Sequence, residues 1–369
     1  MHDPYKALYI HIPFCKKRCR YCDFQTSAVK LDNPVVREYV DRLILDIRRA
    51  GKAGHLGELE SVYVGGGTPS FLGQKYLTEI FYTLGLSMML TDQVECSMEA
   101  NPDSLSAPMV KDLWALGVNR LSIGVQSFDE EVLSILGRVH DAQAAKEAIE
   151  TAQTRFENVS VDLMCGIPGQ STESFRSSLQ TAVDAGVTHI SVYPLTIEEN
   201  TQFDIMVQAK ELPEPDDDVE AESMKLANEV LSAAGFERYE VASYAKPGFE
   251  CKHNEAYWTG KPYLGLGSSA VTMTQNAERR MRVRDEQVQD DLDAKQMVAE
   301  DAMLGMRLVR GIDDSQVRTW AQLVPELPTE LEKLTGDGLV THADGRWRPT
   351  ERGWLCGNEL YGRILDLAP

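Results

Sequence analysis

The sequence predicts an α/β fold whose larger part is a partial (β/α)6 barrel of the TIM type. Six short apolar runs rich in β-branched residues recur along the first half of the chain, and helical patterns separate them. The runs that predict buried strands are residues 8–12, 61–64, 94–98, 121–125, 159–163 and 190–193. Alternation of strand and helix implies parallel strands, and six such units close most of a barrel without the usual eight.

The clearest helical pattern covers residues 33–49. Asn33 suits the N-cap position, and Pro34 suits the first turn. Apolar residues then recur at the spacing of one helix face, at Val36, Tyr39, Val40, Leu43 and Ile47. We therefore expect a helix that packs one face on the neighbouring strands.

A smaller, mainly helical and winged-helix-like domain is predicted at the C-terminal end. Helical periodicity dominates residues 301–308 and 327–334, and residues 339–342 and 347–349 flank an Asp344-Gly345 turn as in a hairpin. We expect the barrel to cover residues 1–235, a connecting region residues 236–290 and the C-terminal domain residues 291–369. The length supports a division, because single hydrophobic cores seldom grow beyond about 250–300 residues.

The composition is that of a globular protein with a strongly acidic charge balance. There are 57 acidic against 37 basic residues, which gives a formal net charge of −20 and repels phosphate backbones. We therefore expect no nucleic-acid partner, even though winged helices often bind DNA. The N-terminus has no charged-then-apolar leader, and no apolar run is long enough to cross a bilayer, which together predict a cytoplasmic protein.

Three of the seven cysteines lie within eight residues, directly after the first predicted strand. The spacing Cys15-x-x-x-Cys19-x-x-Cys22 places three thiolates on one loop, which suits metal ligation better than disulfides. A [4Fe-4S] cluster held by three cysteines leaves one iron open, and that iron can chelate the amino and carboxylate groups of an amino acid. A structural zinc ion is the alternative, but no fourth cysteine is near, so His11 would have to serve.

Polar residues and glycines follow the later predicted strands, at the end where parallel barrels form their sites. Gly65-Gly66-Gly67-Thr68-Pro69 follows the second strand and lets a ligand approach the backbone. Glu99 follows the third strand and can accept hydrogen bonds from an ammonium or ribose hydroxyls. Gln126 ends the fourth strand, Asp162 lies at the end of the fifth, and both suit hydrogen bonds to a bound nucleoside. Arg138 offers a guanidinium that grips a carboxylate. Taken singly, Glu99 is more often a solvated rim charge, and Arg138 is as often a surface ion pair.

Together these segments resemble the oxygen-independent coproporphyrinogen III oxidase-like branch of the radical S-adenosylmethionine (SAM) family. The resemblance is carried by residues 15–22, 65–69, 99, 122–128 and 162–169 and extends over nearly the whole chain. It implies that Cys15, Cys19 and Cys22 hold a [4Fe-4S] cluster. The SAM contacts that it implies are Tyr9, Gly66, Gly67, Thr68, Glu99, Gln126, Arg138 and Asp162. Gly67 and Thr68 would lie near the methionine part of SAM, and Asp162 near its ribose.

This branch includes oxidases, which decarboxylate two propionates of coproporphyrinogen III, and HemW-type haem chaperones, which bind haem and deliver it to respiratory proteins. Three features favour a chaperone. The oxidase pattern continues to a further cysteine two residues beyond the third, where this chain has Phe24. The oxidases carry an N-terminal extension, whereas fourteen residues precede Cys15 here. The segment His253-Asn254-Glu255-Ala256-Tyr257-Trp258 matches the His-Asn-x-x-Tyr-Trp motif of the haem chaperones.

The resemblance makes His253 the candidate axial ligand of haem b, because a neutral imidazole with aromatic neighbours suits a haem site. Without the motif, such a histidine would more often be a packed structural residue. Cys251 is the second candidate ligand. The expected partners are haem, haem-receiving respiratory proteins met at the membrane surface, and a second copy of the chain in a homodimer. The alternative function is that of the oxidase, and the sequence leaves open whether SAM is cleaved or only bound.

Overall fold

The computed structural model describes residues 2–88, 91 and 93–369, and a large mixed sheet dominates this part of the chain. The strands, in chain order, are β1 (Ala7–Ile12), β2 (Phe14–Cys15), β3 (Ser27–Ala28), β4 (Ser61–Gly66), β5 (Glu95–Ala100), β6 (Arg120–Gln126), β7 (Asn158–Cys165), β8 (His189–Pro194), β9 (Glu237–Arg238), β10 (Ser243–Ala245), β11 (Tyr263–Leu266), β12 (Val271–Gln275), β13 (Arg279–Arg284), β14 (Gln287–Asp293), β15 (Ile312–Asp313), β16 (Val340–Ala343) and β17 (Arg346–Pro349).

The helices lie mainly between the strands. In chain order they are α1 (Pro34–Lys52), α2 (Gly73–Ser87), α3 (Ala107–Ala115), α4 (Glu130–Leu136), α5 (Ala142–Gln153), α6 (Thr172–Asp184), α7 (Gln202–Gln208), α8 (Asp217–Ala233), α9 (Lys252–Trp258), α10 (Ala294–Gly305), α11 (Asp314–Trp320), α12 (Leu327–Gly336), α13 (Glu351–Leu355) and α14 (Gly357–Leu365). Within the described residues, none of these helices combines the length and the apolar character that crossing a membrane requires.

Seven neighbouring strands of the large sheet run parallel and form the wall of an open barrel. Their order is β11-β1-β4-β5-β6-β7-β8. Side chains from β1 and from β4 to β8 line one interior cavity, so the sheet curves around it. The six predicted strands are all present, and the predicted partial (β/α)6 barrel is confirmed. β11 is a seventh parallel strand that the apolar pattern did not reveal.

The strands of the barrel alternate between a side that faces the helices and a side that faces the interior. In β1, Tyr9 and His11 line an open cleft on one side of the sheet, and the residues between and beside them are fully buried in the outer core on the other side. The helix α1 begins as predicted, because Asn33 Oδ1 accepts a hydrogen bond from the Val35 amide at 3.1 Å and Pro34 is its first residue. It buries Val36, Val40, Leu43 and Ile47, four of the five residues predicted for one face.

The segment between β8 and α10 supplies both edges of the barrel wall. β10 pairs with β8 in antiparallel fashion, while β11 pairs with β1 in parallel, and β12 to β14 extend the sheet beyond β11. The helix α9 lies between β10 and β11 in the chain. Its residue His253 contacts Ser61 at the start of β4 and Glu95 at the start of β5. This helix therefore closes the amino-terminal end of the barrel.

The C-terminal module has its own apolar core and a three-stranded sheet in the order β15-β17-β16. The predicted hairpin is present, and its turn residues Asp344 and Gly345 have φ values of 53° and 71°. Positive φ at both central residues is the geometry of a type I′ turn. With helices α10 to α14 around this sheet, the predicted winged-helix-like arrangement is confirmed.

Candidate functional site

The three cysteines of the predicted cluster motif lie together at the carboxyl ends of the barrel strands. Cys15 ends β2, and this strand pairs with β3 so that the loop between them is closed at its base. Cys15, Cys19 and Cys22 all line one cavity of about 340 Å³. The structure therefore brings together the three side chains that the motif selected.

The glycine turn after β4 packs directly against the cysteine loop. The amide of Gly67 donates to the Ile12 carbonyl at 2.8 Å. The amide of Thr68 donates to the Phe14 carbonyl at 2.9 Å. A Cβ atom at Gly67 would lie 2.7 Å from the Phe14 carbonyl oxygen and 3.0 Å from Cys15 Sγ. Only glycine allows the two segments to approach so closely.

Two hydrogen bonds to the thiols suit a ligated, deprotonated state, whereas burial by itself favours the protonated thiols. Burial raises the pKa of Cys15 and of Cys22. Thr68 Oγ1 donates to Cys15 Sγ at 3.5 Å, and the Arg138 guanidinium donates to Cys19 Sγ at 3.4 Å. Among the described residues, no three potential ligands converge closely enough for a single metal ion. The hydrogen bonds to Cys15 and Cys19 would stabilise the thiolate form that ligates a metal.

Two partly buried carboxyl groups line the same cavity, one on β5 and one on β7. Glu99 accepts hydrogen bonds from the Tyr63 hydroxyl at 2.9 Å and from the Gly66 amide at 3.1 Å. Burial, followed by repulsion from Asp162, raises the pKa of Glu99 to about 7. Burial also raises the pKa of Asp162, which accepts from Ser122 Oγ at 3.4 Å. Both carboxyls keep acceptor capacity for the hydroxyl or ammonium groups of a ligand.

Arg138 lies between the cysteine loop and the end of β6. Besides Cys19, its guanidinium contacts Asn101 Oδ1 at 2.9 Å and the Gly124 carbonyl. Its buried Nε has no hydrogen-bond partner within the described residues. Gln126 has a φ of 69°, which is unusual for a residue with a side chain, and the pairing of β6 with β7 is irregular there. The strained backbone of Gln126 and the unpaired Nε of Arg138 are both typical of a binding site in which a ligand supplies the missing contacts.

Most of the predicted cofactor residues share this cavity. The ten that line it are Cys15, Cys19, Cys22, Gly66, Gly67, Thr68, Glu99, Gln126, Arg138 and Asp162. Among the predicted cluster and SAM residues Tyr9 is the exception, because its side chain lines two adjoining cavities and its hydroxyl lies 3.0 Å from His11 Nδ1. The other ring nitrogen of His11 lies 3.1 Å from the Gln25 carbonyl oxygen, so this histidine is engaged away from the thiols.

A second cavity of about 210 Å³, which we call the inner chamber, adjoins the first, and helix α9 forms its floor at the amino-terminal end of the barrel. His253 belongs to this floor and is 2% exposed. Its Nδ1 lies 3.0 Å from Ser61 Oγ, and its Nε2 lies 3.2 Å from the Tyr257 hydroxyl. Burial, reinforced by the charge of Arg120, lowers the pKa of His253 to about 3. The imidazole is therefore neutral, and both of its nitrogens have hydrogen-bond partners.

Cys251, the second haem candidate, is fully buried at the N-cap of α9. Its Sγ lies 3.5 Å from Glu95 Oε1, and burial raises the pKa of the thiol to about 12. The same carboxylate accepts the amides of Lys252 at 3.0 Å and His253 at 3.1 Å. Glu95 thus caps the first turn of α9 and ties the motif to β5.

Arg120 is a site residue that the sequence pattern missed. It is 2% exposed, lines the inner chamber, and has no hydrogen-bond partner for its Nε within the described residues. Its charge opposes the effect of burial on the pKa of both Glu99 and Asp162. The sequence did carry a signal, because Arg120 is a charged residue directly before an apolar run. The predicted strand begins at residue 121, so Arg120 lies outside it.

Comparisons with known proteins cover the chain from end to end. The family model for the radical SAM superfamily matches residues 9–182, and that for the HemN C-terminal domain matches residues 292–356. The heme chaperone HemW of Bacillus subtilis is 34% identical over 98% of this chain and 99% of its own length. The heme chaperone HemW of Escherichia coli is 34% identical over 98% of both chains.

A solved structure, that of coproporphyrinogen III oxidase (HemN) from Escherichia coli, described as a radical SAM enzyme, aligns with a TM-score of 0.80. It covers 99% of this chain and 90% of its own, at 21% identity, which is evidence for the fold alone. The open parallel barrel, the cysteine loop and the matched family model define a radical SAM protein. Within that superfamily, the chain belongs to the family of the heme chaperone HemW.

Proposed function

We propose that the protein is a haem chaperone that binds a [4Fe-4S] cluster, SAM and haem b and delivers haem to other proteins. The observation that carries this proposal is the identity of 34% to heme chaperones over almost the entire chain. Two sequence features agree with it, namely Phe24 in place of the further cysteine of the oxidases and the His-Asn-x-x-Tyr-Trp motif that begins at His253.

The cluster and SAM would occupy the 340 Å³ cavity. Cys15, Cys19 and Cys22 would hold the cluster, whose open iron supplies a chelation point for the amino and carboxylate groups of SAM. Gly66, Gly67 and Thr68 would face the methionine part, and Asp162 the ribose. Glu99, Gln126 and Arg138 complete the proposed set, and Tyr9 would contribute from the adjoining cavity.

His253 remains our first candidate for the haem ligand, with Cys251 second. The contacts of His253 set a condition for this role, because Nε2 has to separate from the Tyr257 hydroxyl before it can bind iron. Neutral imidazole is the form that ligates iron, and the low pKa of His253 satisfies that requirement. Cys251 would need both exposure and loss of a proton, which is a larger change.

An anaerobic haem titration of the cluster-reconstituted protein, followed by absorbance, tests the proposal. We expect saturable binding by the wild type and weaker binding with an altered spectrum for His253→Ala. His189→Ala is a matched control, because His189 is equally buried and lies between Ser160 at 2.7 Å and Tyr239 at 2.9 Å. Equal loss in both variants would indicate a folding defect, and no loss in either would reject His253 as ligand.

The coproporphyrinogen III oxidase activity is the alternative in a different class. Conversion of coproporphyrinogen III under anaerobic conditions would establish it, and absence of saturable haem binding would remove the chaperone proposal. We further propose that the chaperone works in the cytoplasm, meets respiratory haem proteins at the membrane surface and forms a homodimer. Haem transfer to an apo-acceptor on vesicles, with the mass of the haem-loaded chaperone measured in parallel, tests these points.

A further inference from the structure

An open cleft of about 510 Å³ lies beside the SAM cavity, between the tail of the cysteine loop and the strands β11 to β13. We call it the flank cleft and define it by Tyr9, Phe24, Tyr257, Tyr263, Val271 and Arg284. We infer that the flank cleft is the binding site of the tetrapyrrole, whose ring packs on its aromatic wall and whose carboxylates face Arg284. The inference rests on the proposed haem-chaperone function, because that function supplies the ligand.

The size and position of the flank cleft suit such a ligand. Its volume falls within the range of about 300–1,000 Å³ that is typical of pockets for organic ligands. It shares Phe24, Gly66 and Glu99 with the cavity that contains the cysteines. A ligand in the flank cleft would therefore lie directly beside bound SAM without occupying the same space.

The wall of the flank cleft is rich in aromatic side chains. Tyr257 and Tyr263 pack edge to face with ring centroids 4.7 Å apart, and Tyr9 lies on the adjoining strand β1. Phe24 is 61% exposed, which is a large exposure for an apolar ring beside a cleft. A flat conjugated macrocycle would cover this ring and pack against the tyrosines.

Arg284 favours a ligand carboxylate at one edge of the flank cleft, whose lining also includes the acidic residues Asp23 and Glu99. β13 carries four arginines, and three of them, Arg279, Arg280 and Arg282, form ion pairs with carboxylates. The fourth, Arg284, is exposed and donates to the Gln289 side-chain oxygen at 2.6 Å, with no ion pair to another described residue. A guanidinium left without a carboxylate at the edge of an aromatic cleft matches the propionate groups of haem. Asp23 belongs to the opposite wall, so the propionates would point away from the cysteine loop.

The flank cleft also explains how a buried histidine could take part. Tyr257 lines both the flank cleft and the inner chamber, and its hydroxyl contacts His253 Nε2. Tyr257 therefore separates His253 from a ligand in the flank cleft by one side chain. A rotation of that side chain would free His253 Nε2 and open the path between the imidazole and the flank cleft.

The test is an anaerobic titration of the cluster-reconstituted full chain with ferric haem and, in parallel, with its dimethyl ester. We expect Arg284→Gln to weaken haem binding about tenfold, since one charge-assisted hydrogen bond is lost at a partly exposed position. The ester should bind the wild type about as weakly as haem binds Arg284→Gln, and Arg284→Gln should not weaken ester binding further. Phe24→Asp should weaken binding of both ligands, because it places a charge against the ring.

Arg279→Gln is the matched control, because this arginine lies on the same strand and forms its ion pair away from the cleft. It should bind haem as the wild type does. If the wild type binds haem saturably while Arg284→Gln and Phe24→Asp bind it like Arg279→Gln, the flank cleft is not the site. If the wild type shows no saturable haem binding at all, the proposed function fails instead. The iron content of each variant shows that the cluster is retained.

Discussion

At the scale of single residues, close contacts position the cysteine loop against the barrel. The turn at Gly67 touches the loop backbone, and Thr68 and Arg138 donate to two of the sulfurs. Glu99 lies on β5 in the same region, and its carboxylate accepts a hydrogen bond from the Gly66 amide. Loss of any of these contacts should change cofactor binding before it changes the fold.

Gly67→Ala should impair cluster retention. The added Cβ would lie 2.7 Å from the Phe14 carbonyl oxygen, which belongs to backbone and cannot simply rotate away. We expect at least severalfold less iron and sulfide per chain after reconstitution, measured by chemical analysis and absorbance. Gly85→Ala is the control, because a Cβ on that helical glycine has nothing within 4 Å. Full iron content in Gly67→Ala would show that the loop tolerates displacement.

Glu99 should make stability depend on pH. Its pKa of about 7 in the folded protein lies above the ordinary value of 4.5, so the folded state binds the proton more tightly. Its contribution is fully present below pH 4.5 and is lost as the pH rises through 7. From pH 5 to pH 8, the free energy of unfolding of the apoprotein should fall by up to about 3 kcal/mol relative to that of Glu99→Gln. Urea denaturation at both pH values measures this difference, and a constant difference would contradict the assignment.

At the scale of elements, helix α9 closes the amino-terminal end of the barrel. Its motif residues His253 and Tyr257 point into the chamber, and Glu95 of β5 holds its first turn. The motif residues therefore hold α9 against the barrel whether or not they bind haem. Variants of α9 need stability measurements beside any binding assay.

Glu95→Ala should loosen α9. It removes the acceptor for two amides of the first helical turn, a change that typically costs about 0.5–2 kcal/mol. We expect faster amide hydrogen exchange in residues 252–258. Ser171→Ala removes the N-cap acceptor of α6 and serves as control, since it should leave exchange in α9 unchanged. Unchanged protection of α9 in Glu95→Ala would mean that packing alone retains the helix.

At the scale of the whole molecule, a buried ion cluster joins the large sheet to the C-terminal module. Arg280 of β13 is 1% exposed and pairs with Glu300 and Asp301 of α10. Arg282 adds a second contact to Glu300 at 2.8 Å. These ion pairs link the strands beside the flank cleft to the C-terminal module.

Arg280→Met should destabilise the protein by about 1–3 kcal/mol, because Asp301 loses its ion-pair partner at a partly buried position while Glu300 keeps its pair with Arg282. Arg279→Gln breaks an exposed pair on the same strand and should cost at most about 1 kcal/mol. Thermal and urea unfolding of both variants measures the difference. Similar stabilities would show that solvent reaches the Arg280 cluster.

Local patterns were enough to predict the six barrel strands, the capped helix α1, the hairpin of the C-terminal module and the loop that carries Cys15, Cys19 and Cys22. Each depends on residues that are close in the chain, where periodicity, turn chemistry and ligand spacing leave a signal. Ten predicted cofactor residues also share one cavity, because the carboxyl ends of parallel strands meet at one rim.

The tertiary structure alone decided where the remaining residues lie. Tyr9 lines the flank cleft, and Arg120 is buried inside the barrel. Strand β11 pairs with β1 although the two strands are far apart in the sequence. His253 contacts Ser61 from 192 positions away. A sequence motif shows which side chains are close together in the chain. The burial of those side chains and their contact partners depend on which distant segments pack around them.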